Sequence, residues 1–209
     1  MSGGGLERRE GRVGLVGRVG LVALITVVVP TCALAQDRFD VGANVVVARS
    51  SEFDDTDTGV GGRFSWHPTP LVGADAEMTF YPASFPDANG FSSSRIEGLF
   101  GVTVGPRLAG VRPFVRVRPG FLTFRGQAVV CILIFPPPLS CELAQGRTLF
   151  ALDLGGGVEL FPAGRAVVRV DVGDRILKYP GPSFRGGRAT EDSFYSHDFR
   201  VAAGAGVRF

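Results

Sequence analysis

Ser65 and His67 stand two positions apart and Glu77 follows ten residues later, which are the residue types of a nucleophile, a general base and an orienting acid. Residues two apart share a face of an extended chain, so Ser65 and His67 can point the same way. Geometry argues against acyl-transfer chemistry here. His67 abuts the turn His67-Pro68-Thr69-Pro70, and Glu77 falls toward the far end of the next extended run. His197, the second histidine, lies at the edge of a polar segment, and the sequence shows no partner for it. Gly155-Gly156-Gly157 lacks the lysine and helix of a phosphate loop. No catalytic residue, metal site or cofactor is expected, and the chain reads as a non-enzyme.

Two cysteines, Cys131 and Cys141, flank the apolar segment Ile132-Leu133-Ile134-Phe135 and the run Pro136-Pro137-Pro138. In an oxidising compartment such a pair is expected as a disulfide, the alternative being two free buried thiols. Zinc would need more ligands than this segment supplies. The segment could cap the body of the protein, touch lipid or meet a partner. Capping is the simplest of these.

The charged residues form a larger pattern. Asp40, Asp75, Glu77, Glu97, Asp153, Glu159 and Asp171 fall on glycine-rich faces that also carry Arg63, Arg116, Arg118, Arg169, Arg200 and Arg208. Lys178 is the only lysine, and arginine suits paired, confined sites where a solvated surface would carry more lysine. These faces describe either an ion-lined conduit or a salt-bridge network filling a narrow interior. The network is expected, because about eight strands leave an interior that side chains just fill and unpaired charge there is costly.

Those faces are set by alternation with a period of two, which recurs in eight runs and marks strands with unlike faces. Phe199, Val201, Ala203, Ala205, Val207 and Phe209 alternate with Arg200, Ala202, Gly204, Gly206 and Arg208. Phe39 to Val47, Val72 to Phe80 and Phe150 to Leu160 repeat the pattern. The runs around Val60–His67, Ile96–Gly105, Phe114–Phe124 and Val167–Ile176 are less regular, and Pro119 suggests a bulge. Connections alternate between short (67–70, 106–110, 162–164) and long (49–58, 82–94, 125–146, 179–198). Aromatics gather at strand ends, Phe39, Trp66, Phe161 and Phe209 at one and Phe80, Tyr81, Phe121, Phe150 and Phe199 at the other. Loop parity and aromatic girdles are those of a membrane barrel with short inner turns and long outer loops.

Residues 1–35 read as a secretory signal peptide: Arg8, Arg9, Arg12 and Arg18, then the apolar run Val19–Val29, then Ala33-Leu34-Ala35 as a cleavage site. Residues 36–209 are then a single domain. The chain has 22 Lys+Arg against 20 Asp+Glu; the leader holds four Arg and two Glu, which leaves 18 against 18. That balance gives no reason to expect a nucleic-acid partner. The sequence carries no signal for an oligomeric state.

The ending Gly204-Ala205-Gly206-Val207-Arg208-Phe209 resembles the C-terminal signal by which bacterial outer-membrane barrels are recognised by their assembly machinery; Phe209, Val207 and Gly204 fit it, whereas Ala202 stands where a polar residue is often found. With the leader and loop parity, residues 36–209 resemble the eight-stranded porin-like or OmpA-type outer-membrane barrels. The resemblance implies an all-β, antiparallel, up-and-down transmembrane β-barrel with outer-membrane lipid and the assembly machinery as partners. The expected role is structural or surface interaction. The alternatives are a narrow channel for small solutes and a soluble periplasmic barrel holding a lipophilic ligand.

Overall fold

The computed structural model describes residues 38–52, 54–82, 94–126, 139, 143, 145–162, 164–181, 183–185, 188–190 and 192–209. The expected leader and both Cys131 and Cys141 lie outside these residues. Eight strands close a barrel: β1 (Phe39–Ser50), β2 (Thr56–Trp66), β3 (Val72–Tyr81), β4 (Arg95–Val104), β5 (Val111–Phe124), β6 (Thr148–Leu160), β7 (Ala166–Tyr179) and β10 (Phe194–Arg208). A small hairpin, β8 (Ser183–Arg185) with β9 (Arg188–Thr190), lies within the connection from β7 to β10. Each barrel strand pairs antiparallel with its chain neighbours, and β10 closes on β1 from Asp40↔Arg208 to Ser50↔Asp198. Closure leaves no open edge, so backbone polar groups are satisfied without water.

Register is constant along every pairing. Pro119 therefore makes no bulge. Its missing N–H instead coincides with a gap in the β4–β5 ladder, where the pairs Leu99↔Gly120 and Val102↔Val117 flank unpaired residues. Glycine lets the two backbones approach closely there: a Cβ at Gly120 would lie 2.0 Å from the Gly98 carbonyl oxygen, and one at Gly101 2.1 Å from that of Val117. The connection at 51–55 is shorter than alternation implied, because β1 and β2 run further in this direction; the other three at that end (82–94, 125–147, 180–193) are long.

Alternation translates into an inverted distribution of polarity. Outward positions carry Val45, Val60, Met78, Phe100, Val115, Val170 and Phe199, each more than two-fifths exposed, while most charged positions of the same strands point inward and are buried. An aqueous surface this apolar would be anomalous; this is the lipid-facing wall of a transmembrane β-barrel. Trp66, Phe80, Phe150, Phe199 and Tyr195 lie on that wall. Tyr81 does not, contrary to its assignment to an outer girdle. It occupies an inward position and is buried, since Phe80 before it takes the outward one.

Inside, the lumen has two zones. Toward the long connections, Val46, Leu99, Leu122, Phe124, Leu149, Leu177 and Tyr179 form an apolar cluster with Leu139 and Leu143 from the connection between β5 and β6. The apolar segment 132–135, for which a capping role is expected, lies outside the described residues. The remainder of the lumen is charged.

Candidate functional site

All thirteen residues assigned from the sequence to a charged interior face the lumen and are buried. With five further groups they make nine carboxylates (Asp40, Asp57, Asp75, Glu77, Glu97, Asp153, Glu159, Asp171, Asp198) and nine arginines (Arg63, Arg95, Arg112, Arg116, Arg118, Arg169, Arg175, Arg200, Arg208) among the described residues.

The middle of the lumen is the densest part. Arg116 on β5 grips Asp153 on β6 through two bonds, Nε to Oδ2 at 2.7 Å and Nη2 to Oδ1 at 3.2 Å. Arg118 donates to the same Asp153 Oδ2 at 3.0 Å and to Glu77 Oε2 at 2.8 Å, so it spans from β6 to β3. Arg169 links Asp171 (2.9 Å) and Asp75 (2.9 Å) and stacks its guanidinium 4.3 Å from the Phe114 ring centroid. Arg200 pairs with Glu77, and Arg116 with Asp171. The forked, charge-assisted geometry explains why arginine and not lysine fills these positions.

Near the long connections Arg175 joins Glu97 and Asp198, the latter at 2.7 Å, and Arg95 pairs with Asp57. At the turn end, Arg208 donates to Asp40 Oδ1 at 2.8 Å, and Arg112 to Glu159 Oε2 at 3.2 Å. His67, in the turn after β2, lies between these pairs. Arg112 Nη1 is 2.7 Å from His67 Nε2, and His67 Nδ1 is 3.3 Å from Asp40 Oδ2. Since arginine only donates, Nε2 must accept and Nδ1 carries the proton facing Asp40. Burial, and then the Arg112 charge, hold the His67 pKa below its ordinary value. Asp40, His67 and Glu159 are of metal-ligating types and lie close together, but both carboxylates already serve Arg208 and Arg112.

The candidate nucleophile set is not brought together. Ser65 Oγ donates to Asp75 Oδ1 at 3.0 Å, His67 is engaged by Arg112 and faces Asp40, and Glu77 is held by Arg118 and Arg200. His197 does have a partner, Asp174, 2.7 Å away on the exposed outer wall. Asp174 interrupts the apolar series Val168, Val170, Val172 and Ile176 on the outward face of β7, which is the signal that could have found it.

Five lumen residues escaped the sequence reading: Asp57, Arg95, Arg112, Arg175 and Asp198. Arg95, Arg112 and Asp57 sit at or beyond the limits drawn for their runs, Asp198 was placed in a long connection, and Arg175 lies in an irregular run where the opposite face also holds an acid, Asp174.

No protein-family model matches the sequence, and no curated protein does either. Among solved structures, Neisserial surface protein A overlays with a TM-score of 0.52 at 15% identity, covering 82% of this chain and 97% of that one. The N-terminal β-barrel domain of Pseudomonas aeruginosa OprF gives 0.48 at 12% identity, covering 83% of this chain and 100% of that domain. Ail of Yersinia pestis gives 0.47 at 12%, covering 82% and 97%. The chain has the fold of the eight-stranded outer-membrane barrels.

Proposed function

We propose that the protein is a sealed, non-enzymatic outer-membrane barrel that acts through its surface, with β1–β7 and β10 as anchor and the long connections presented outside the cell. The observation that carries this reading is the lumen. Nine arginines and nine carboxylates fill it, and toward the long connections the pairs are packed among an apolar cluster that includes Leu139 and Leu143. An ion crossing it would have to break several buried pairs, each worth a few kcal/mol to disrupt. Within this reading Phe209, Val207 and Gly204 serve recognition by the assembly machinery, the apolar wall meets outer-membrane lipid, and Cys131 and Cys141 close the third long connection. Residues 1–35 direct export.

Planar-bilayer recording on purified, heat-modifiable protein tests the seal. Insertion without steady unitary conductance is expected. Steady channels would overturn the sealed reading in favour of a narrow pore for small solutes. Recovery of the protein in the soluble periplasmic fraction would overturn the membrane anchor itself.

A further inference from the structure

We propose that the lumen binds a small inorganic anion, of chloride size, between Arg63 and Asn44. The eight other buried arginines together contact all nine carboxylates, and Arg63 alone among them forms no ion pair among the described residues. It is 5% exposed, and its Nε has no hydrogen-bond partner. The acids within reach are committed elsewhere. Glu77, directly opposite Arg63 across β2–β3, is taken by Arg118 and Arg200. Asp75, the next inward acid on β3, accepts from Ser65, Arg118 and Arg169.

Asn44 supplies an independent second observation. It is 6% exposed, and neither its Nδ2 nor its Oδ1 has a partner. In the β1–β2 ladder Gly42 faces Arg63 and Asn44 faces Gly61, so the two side chains are diagonal neighbours on one inward wall. Diagonal neighbours on a sheet lie within reach of long side chains. Toward β1 and β10 the adjoining inward positions are Gly42, Gly204 and Gly206, which offer no competing polar group. A buried guanidinium with no ion pair of its own is costly, and so is a buried amide without partners. An anion receiving N–H donors from Arg63 and from Asn44 Nδ2 gives both donors a partner. A bound cation is excluded by the sign of Arg63. Within the sealed reading above it is a structural anion site and not a step in conduction.

The test uses the folded barrel in detergent micelles, with chloride as the probe and gluconate replacing it at constant ionic strength. Chloride at ten times its dissociation constant raises the thermal midpoint by ~3 °C over gluconate, from the size of a one-site linkage effect. Excess 35Cl line broadening saturates over the same range. Asn44→Asp places a carboxylate beside Arg63, so it raises the midpoint in gluconate and abolishes the chloride response. Arg63→Gln abolishes the broadening. Should Arg63→Gln fail to fold, Asn44→Asp decides. Equal midpoints in chloride and gluconate for the unaltered protein, or a chloride response that persists in Asn44→Asp, overturn the proposal.

Discussion

Arg112 donates from β5 to His67 Nε2 at 2.7 Å, and this bond ties the turn after β2 to the far wall of the lumen. It requires a neutral imidazole. A protonated His67 would oppose both Arg112 and Arg208, with Asp40 and Glu159 the facing carboxylates. The unfolded chain takes up a proton near the ordinary histidine value of about 6.5, and the folded barrel resists it to lower pH. Stability from His67 is therefore present above about pH 6.5 and falls as pH drops toward the folded value, by at most about 1.4 kcal/mol per unit. Denaturant unfolding of the barrel between pH 7.5 and 5 is expected to show this slope, and His67→Gln to lose it. A slope unchanged in the variant would show that other groups carry it.

Asp153 is the hub of the middle lumen, wholly buried between Arg116 and Arg118. Asp153→Ala leaves two buried guanidinium groups short of a counter-charge and is expected to cost about 3–5 kcal/mol. Removing the exposed Arg49–Asp54 pair by Arg49→Ala is expected to leave stability nearly unchanged, since both side chains are mostly in solvent. Urea titration of the two variants in vesicles measures the contrast.

Val115 is 64% exposed on the outward face of β5. Within the membrane, Val115→Arg is expected to destabilise by about 2–4 kcal/mol if it lies at the bilayer midplane, and less toward either interface. In a soluble barrel the same change on an exposed wall would be near neutral. Comparing folding yield into vesicles with that of Val115→Leu separates these outcomes.

Phe209 exchanges two backbone hydrogen bonds with Phe39, at 2.9 and 3.0 Å, and its ring lies 6.1 Å from that of Phe39. The backbone bonds survive Phe209→Ala, so refolding into detergent is expected to change little. Assembly in cells should fall several-fold if the terminal aromatic is the recognition element. Equal losses in both assays would assign Phe209 a purely structural part in closing the barrel.

Much of this was written in the sequence. Alternation from Phe199 to Phe209, and from Val72 to Phe80, fixes which face of each strand is apolar, because a strand's side chains can only alternate. Balanced arginine and acid on the glycine-rich faces announces a paired interior. Only the tertiary structure decided which acid meets which arginine, since Arg118 reaches Asp153 on a neighbouring strand and Glu77 two strands away on β3. It alone revealed the apolar zone under the outer mouth. Leu149-Phe150-Ala151-Leu152 is apolar on both faces, and alternation reports only a contrast between faces, so Leu149 and Ala151 could not be seen to point inward. The same limit hid Tyr81, whose neighbour Phe80 is equally aromatic. Sequence determined the inside and outside of each strand wherever they differ in polarity; closure of the barrel determined the partners.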